Sequence, residues 1–494
     1  MLCLANISFF TRKNKQKTPL LNRNFMINKR QSNPLSFFIL ISVFFFWGFV
    51  ASGNDILIPV FKEKLHLEQW QSQWISVMFY IAYTIGSFAY YLISRITGMD
   101  ILNKIGYKNG IVLGLCISAA GTLLFIPAAN SASFTLLVIG LFIVGLGFSL
   151  QQTAANPLVI NIGDRRQGSQ RLSMAGGINN IGTTIGPVIL SYVIFGNVSA
   201  DSAHADISSV KIPYLILGAA FLLVALFIKF SSIPDIIQDE DNGTTDSTIQ
   251  TKQSALSYPQ LYLGMIAIFV YVGVEVSTVS NLPEYMRQHL GIERQGVTPF
   301  VSLFWASLMV GRWSSAVDSF SAGTIKRFVL KIVFPYAAFG LFLWVNSFTN
   351  KNIETFYIYG IMVAVLIAAD YLSNKNPERQ LKIYGTMGII ALLTGMFTEG
   401  YLSVFAFISA GLFCSTLWPC IYTLAIRGLG KQTNEGSAFL IMMIMGGGII
   451  SMLQGKLADL SSVGIKYSYW AGVVCFAYLI FYAFAAGKTR PANQ

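Results

Sequence analysis

The stretch IPYLILGAAFLLVALFIKF, residues 212–230, decides the class of fold. From Ile212 to Ile228 it carries no charged side chain. At about 1.5 Å rise per residue, roughly 20 such residues in an α-helix cross the ~30 Å hydrocarbon core of a bilayer. Similar runs recur from Leu35 to Phe484. They are continuously apolar rather than alternating in period two, which selects spanning helices and excludes a transmembrane barrel. Composition agrees: of 494 residues, 54% are hydrophobic and 11% charged, and the mean hydropathy is +0.58. A soluble surface needs about a quarter charged residues. Soluble-enzyme and nucleic-acid-binding readings therefore fall away, and the net charge of +12 is a statement about topology.

The residues after this stretch are equally informative. Asp235, Asp239, Glu240, Asp241, Asn242 and Gly243, followed by a Thr/Ser cluster, cannot enter a bilayer and predict a flexible cytoplasmic linker over 233–259. Before it, helices are expected near 35–60, 71–94, 109–128, 134–160, 171–195 and 212–232. After it they are expected near 260–283, 298–317, 326–347, 355–371, 382–398, 401–427, 434–460 and 466–486. This predicts an all-α integral membrane protein of about 14 membrane helices, with a basic tail at 1–34, an N-terminal six-helix bundle at 35–232, a C-terminal bundle at 260–487 and a short tail at 488–494. Of the 34 Lys and Arg residues, 25 fall in the amino-terminal tail and alternate connections after it, 8 on the opposite side, and Lys331 within a helix. Both termini and the linker are accordingly expected in the cytoplasm, as in a bacterial-type inner membrane.

Internal similarity indicates duplication. Gly168-Ser169 followed by Gly176-Gly177 is echoed by Gly436-Ser437 followed by Gly446-Gly447-Gly448, each after a helix with a buried proline, Pro157 or Pro419. Asn54-Asp55-Ile56-Leu57-Ile58-Pro59 is echoed by Ser280-Asn281-Leu282-Pro283. Two six-helix halves are the layout of a transporter that rocks around a midplane site. The surplus pair is assigned to about 324–372, a peripheral hairpin whose removal keeps the orientation of everything downstream. Asp370 is expected at its cytoplasmic end beside Lys375 and Arg379.

Other residues carry less. The cysteines, Cys3, Cys116, Cys414, Cys420 and Cys475, have no paired or metal-type spacing, and His66, His204 and His289 fall in separate loops; no metal site and no cofactor are expected. The first 34 residues lack the apolar core and cleavage site of a signal peptide. Met26-Ile27-Asn28-Lys29-Arg30 reads as a natural start, with 1–25 as an extension.

Several motifs, taken in order, are familiar together. Phe46-Trp47-Gly48-Phe49, Asn54-Asp55-Ile56-Leu57-Ile58-Pro59, Ile105-Gly106-Tyr107-Lys108-Asn109-Gly110, Gln151-Gln152-Thr153-Ala154-Ala155-Asn156-Pro157, Arg171-Leu172 and Asn179-Asn180-Ile181-Gly182 resemble the fucose/glucose/galactose symporter family of the major facilitator superfamily. So do Tyr271-Val272-Gly273-Val274-Glu275-Val276-Ser277, Val310-Gly311-Arg312, Trp418-Pro419 and Gly428-Leu429-Gly430-Lys431. The resemblance covers about residues 37 to 485 apart from the extra pair. It implies a central sugar cavity, a monosaccharide as substrate, and symport with a proton or, in some members, sodium. Asp55 matches the membrane aspartate of the fucose permease pattern. Gln152 departs from that pattern, which has a glutamate there, but sugar-transporting relatives share the glutamine.

The residues themselves support the same chemistry. An aspartate in an apolar helix costs roughly 2.5–3.5 kcal/mol on insertion scales and needs a reason: Asp55 is either an ion-coupling group or a cap at a helix broken near Gly53 and Pro59. Aligning Pro59 with Pro283 puts Glu275 one turn from the Asp55 level in the matching helix, so the pair could share a proton or hold sodium; a glutamate satisfied by a neighbouring helix is the alternative. Sugars need uncharged donors and acceptors with an aromatic face. Gln151, Gln152 and Asn156, with Asn179 and Asn180 and with Asn54 beside Asp55, supply amides at membrane depth. Gln152 and Asn156, four apart, share one helix face, while Gln151 points about 100° away. Trp418 is the candidate stacking surface. Helix–helix hydrogen bonding and packing are the competing readings for all of these. Arg312 and the Lys104/Lys108 loop are expected at the cytoplasmic side as gate or anchor.

An ATP-driven pump is excluded: Gly487-Lys488-Thr489 resembles the end of a phosphate loop, but Tyr482 stands where the first glycine must be and the segment closes a membrane helix. A drug exporter would have an aromatic cavity without these amides, and a sugar sensor would need longer extensions. The expectation is a monomeric importer of a neutral hexose, with the lipid bilayer as its other partner and no nucleic acid.

Overall fold

The computed structural model describes residues 34–64, 69–131, 133–163, 165–195, 211–233, 235, 254–292, 294–319, 323–348 and 353–488. The expectations for the basic tail, for Met26, for His66 and His204, and for most of the linker concern residues outside these. In the N-terminal part run α1 (Pro34–Lys64), α2 (Gln69–Thr97), α3 (Tyr107–Leu123), α4 (Phe134–Asn161), α5 (Gly168–Phe195) and α6 (Lys211–Phe230). After the linker come α7 (Pro259–Leu290), α8 (Arg294–Ala316), α9 (Thr324–Ser347), α10 (Gly360–Ser373), α11 (Pro377–Phe397), α12 (Gly400–Cys414), α13 (Leu417–Ala425), α14 (Thr433–Met442), α15 (Gly446–Asp459) and α16 (Trp470–Lys488). The chain is all-helical, and among the described residues ten helices are long and apolar enough to cross a membrane.

Local chemistry sets the boundaries. Ser133 caps α4 by accepting from Leu136 N, and Asn376 caps α11 through the amides of Glu378 and Arg379, with Pro377 at its first position. Gly291 ends α7 in the left-handed conformation (φ 64°). The linker is ordered at both ends: Tyr107 N donates to Asp235 O at 2.9 Å, and Ser254 Oγ to Glu435 at 2.9 Å. Helix α1 is continuous from Pro34 to Lys64, so Asn54 and Asp55 occupy a helix interior and the broken-helix alternative for Asp55 does not hold. Their side chains lie outside the described residues.

The packing repeats itself. Helix α1 lies on α5, α2 on α4, and α3 on both α4 and α6; likewise α7 lies on α15, α8 on α12, and α11 on both α12 and α16. The α1–α5 crossing brings backbones into contact: a methyl on Gly182 would run into the Phe45 carbonyl, and one on Gly446 in the α7–α15 crossing would run into the Phe269 carbonyl. Helices α9 and α10 pack on α8, α10 on α11, and neither has a counterpart in the first repeat. Tyr357, just before α10, is 55% exposed. Between the repeats, α5 faces α8 and α2 faces α14.

Candidate functional site

The amides of α4 divide into two roles. Gln151 is fully buried; Trp47 Nε1 on α1 donates to its Oε1 at 2.7 Å, and its Nε2 donates to Ser118 Oγ on α3 at 3.0 Å. Its amide is consumed in joining three helices. One residue on, Gln152 is half-buried and donates to the Tyr83 hydroxyl of α2 at 2.8 Å. One turn further, Asn156 is 2% exposed, and its Nδ2 makes no well-formed hydrogen bond, with the Tyr422 hydroxyl beside it. A buried amide without a well-formed hydrogen bond costs about 1–3 kcal/mol.

Opposite these lies an aromatic column. On α7 the Tyr271 hydroxyl donates to the Glu275 carboxylate four residues on. The Tyr271 ring meets Trp418 at 6.2 Å, and Trp418 stacks on Tyr422 at 6.0 Å with planes 29° apart. Tyr271 and Tyr422 are buried while Trp418 is half-buried. Tyr422 lies beside Asn156, so the column runs from the acid of one repeat to a buried amide of the other.

Prolines shape the seam between the repeats. A proline leaves the carbonyl four residues back without its helical partner. Behind Pro157 that carbonyl belongs to Thr153, and Ser437 Oγ on α14 donates to it at 2.9 Å. Behind Pro419 it belongs to Ser415, and Arg312 Nε on α8 donates to it at 3.0 Å. Arg312 also crosses the seam, its Nη1 reaching Asn180 Oδ1 at 2.5 Å and Gly176 O at 3.3 Å, and its charge acts on Glu275. Arg312 lies within α8, inside the helix expected near 298–317, and its side chain bonds to both repeats. Trp313 Nε1 to Gly177 O (3.3 Å), Asn180 Nδ2 to Trp305 O (3.3 Å) and Ser169 Oγ to Cys420 Sγ (3.6 Å) continue the α5 side. On the α2 side, Asn434 receives the Tyr107 hydroxyl and donates to Asp100 at 3.0 Å and Asn103 at 3.1 Å. Near the connections after α2, α4 and α13, the Ser169–Cys420 and Asn434 contacts tie the two repeats together at one end of the bundle.

Of the residues singled out by sequence, Glu275, Trp418 and Asn156 are linked through Tyr271 and Tyr422, with Gln152 one turn before Asn156; Asn180 lies in the seam, and Asn179 bonds to the Phe44 carbonyl of α1 at 2.9 Å. Gln151 is tied into helix packing. Asp370 pairs with Lys331 at 2.8 Å rather than with Lys375 or Arg379. Sequence reasoning passed over Tyr83, Tyr271, Tyr422, Asp100 and Asn434. Tyr271 was within reach, as an aromatic hydroxyl one turn from a membrane acid; the others depend on helices distant in sequence.

Comparison with known proteins follows this geometry. The Major Facilitator Superfamily model matches residues 38–371. A glucose/galactose transporter of Brucella abortus biovar 1 (strain 9-941) is 31% identical, over 91% of this chain and 93% of its own. An L-fucose-proton symporter of Escherichia coli (strain K12) is 27% identical, over 93% of this chain and 94% of its own. Among solved structures, the crystal structure of the transporter FucP in the outward conformation aligns with a TM-score of 0.70 at 26% identity, covering 92% of this chain and 99% of that one.

Proposed function

The chain belongs to the Major Facilitator Superfamily, among its fucose, glucose and galactose symporters, and from that premise we propose that it imports a neutral hexose of the glucose, galactose or fucose type by cation symport. It is a transporter rather than an enzyme. The observation that carries the substrate reading is the buried amide of Asn156 beside Tyr422, on which the half-buried Trp418 ring stacks: a donor for a sugar hydroxyl near a face for apolar C–H groups. Gln152 adds a second amide, and the clustered amides speak against a drug exporter. Gln151, with both polar atoms engaged, belongs to the scaffold, and Asn179 and Asn180 act through helix contacts in this conformation.

Counting α12–α13 and α14–α15 as one span each, α1–α6 and α7, α8 and α11–α16 form two bundles of six spans, with α9 and α10 as an inserted hairpin, giving about 14 spans; the duplicated packing supports this division. The excess of Lys and Arg supports cytoplasmic termini, in a bacterial inner membrane. The end where the two repeats are tied together is then the closed cytoplasmic gate, and the conformation is outward-facing.

Coupling falls to Asp55 and Glu275. Glu275 reaches the sugar region through Tyr271 and Trp418, and Arg312 ties its electrostatics to the seam. Loading a cation on Glu275 alters its pull on Arg312, which holds Asn180 and Gly176 of the other bundle, so ion binding and rocking share one contact. A proton is the first choice of ion, in keeping with the name of the E. coli relative. Counterflow of radiolabelled glucose, galactose and fucose in proteoliposomes tests class and substrate together, and uptake against pH and sodium separately identifies the ion. Absence of counterflow with every hexose would overturn the reading.

A further inference from the structure

Lys331, two turns into α9, is 4% exposed, and its ammonium lies 2.7 Å from Asp318 Oδ2 and 2.8 Å from Asp370 Oδ2. Both acids are buried; Ser314 Oγ donates to Asp370 at 3.0 Å, and Arg327 and Lys375 approach Asp318 at 3.6 Å each. One cluster thus joins the end of α8, both helices of the hairpin and the turn between α10 and α11. Leucines would hold a lipid-facing hairpin with less desolvation, so three buried charges call for a role beyond anchoring.

Two strings of contacts leave the cluster and both end on the other bundle. In the first, Gln380 Nε2 donates to Asp370 Oδ1 at 3.3 Å, Cys420 Sγ donates to Gln380 Oε1 at 3.3 Å, and Ser169 Oγ meets Cys420 Sγ at 3.6 Å. In the second, Lys375, paired with Asp318, offers its carbonyl to Gln170 Nε2 at 3.1 Å. Asn374 ends α10 in the left-handed conformation (φ 47°), a usual cap for asparagine, and Lys375 follows at φ 59°, which is uncommon for a residue other than glycine. Ser169 and Gln170 are neighbours at the start of α5, so the hairpin's charges reach one point of the gate by two independent routes.

We propose that Asp318, Lys331 and Asp370 are positioning residues that make the inserted hairpin a latch on the closed gate. They fix the α10–α11 turn and Gln380 where Gln170 and Ser169 dock; when the bundles part, those two docking contacts break while the cluster stays intact. Weakening the cluster or the docking contact shifts the population toward the open gate. The inference rests on alternating access and not on which sugar is carried.

The test uses the full chain in proteoliposomes without sugar. Cys420 is fully buried, so N-ethylmaleimide reaches it only when the gate opens, and peptide mass spectrometry reads its modification rate against Cys475, buried in α16, which reports global unfolding. Gln170→Ala removes one docking hydrogen bond without touching the hairpin, and should speed Cys420 labelling about three- to tenfold with Cys475 unchanged. The triple variant Asp318→Asn, Lys331→Met, Asp370→Asn should do the same, while Lys331→Arg, which keeps the charge, should stay near the wild-type rate. Unchanged Cys420 labelling in Gln170→Ala overturns the latch. So does a triple variant whose Cys420 rate matches wild type. If the triple variant labels Cys475 as well, it has unfolded and Gln170→Ala alone decides. Hexose binding measured on the same samples keeps a failure of the latch separate from a failure of the sugar reading.

Discussion

Replacing Asn156 with leucine should raise stability and lower sugar affinity at once, a pair of signs that a packing role cannot produce. Leucine has the same number of side-chain heavy atoms and the same branch point. The Nδ2 of Asn156 is buried without a well-formed hydrogen bond, beside the Tyr422 hydroxyl, so its removal relieves up to about 1–3 kcal/mol of unmet hydrogen bonding, less the lost Tyr422 contact and whatever the rounder leucine costs in overpacking. A net gain of about 1 kcal/mol for the sugar-free protein is expected. Bound sugar should respond in the opposite sense. At a concentration about 100-fold above the dissociation constant, the wild type gains about 2.7 kcal/mol from ligand; a variant about tenfold weaker gains about 1.4 kcal/mol at the same concentration. Thermal unfolding of the purified protein, with and without the hexose identified by counterflow, reads both quantities in one experiment. A leucine variant that loses stability without sugar and keeps the full sugar-induced shift would refute the assignment, leaving Asn156 as a packing residue.

Asp55→Asn should abolish gradient-driven accumulation while preserving sugar counterflow, because exchange needs no net ion turnover; full concentrative uptake by the variant would move the coupling role to Glu275. Gln151→Leu should lower stability by about 1–3 kcal/mol by leaving Trp47 Nε1 without its acceptor, with sugar affinity of the folded fraction unchanged; thermal unfolding and binding on the same sample check this. Gly182→Val should sharply reduce the yield of folded protein, since its Cβ would occupy the Phe45 carbonyl; size-exclusion chromatography after extraction gives the answer, and a monodisperse variant would contradict the tight α1–α5 crossing.

Much of the architecture was legible because the bilayer restricts the chain so severely. An uncharged run such as Ile212–Ile228 has one stable form in hydrocarbon, so membrane helices could be read from hydropathy alone. The candidate amides were legible for the same reason: polarity at membrane depth stands out against an apolar background. What the sequence could not assign is the partner of each polar group. Gln151 and Gln152 are neighbours of identical chemistry, yet a rotation of about 100° turns one toward Trp47 and Ser118 and the other toward Tyr83. The sequence placed Arg312 in a helix as a gate or anchor, but its partners, the carbonyl freed by Pro419 and the amide of Asn180, come from two other helices. Asp370 found its counter-charge on the facing helix, at Lys331, and not in the nearby loop. Helix formation is local and is settled by hydropathy along the chain; hydrogen-bond and charge pairing depend on the rotation and crossing of helices far apart in sequence, and only tertiary packing sets those.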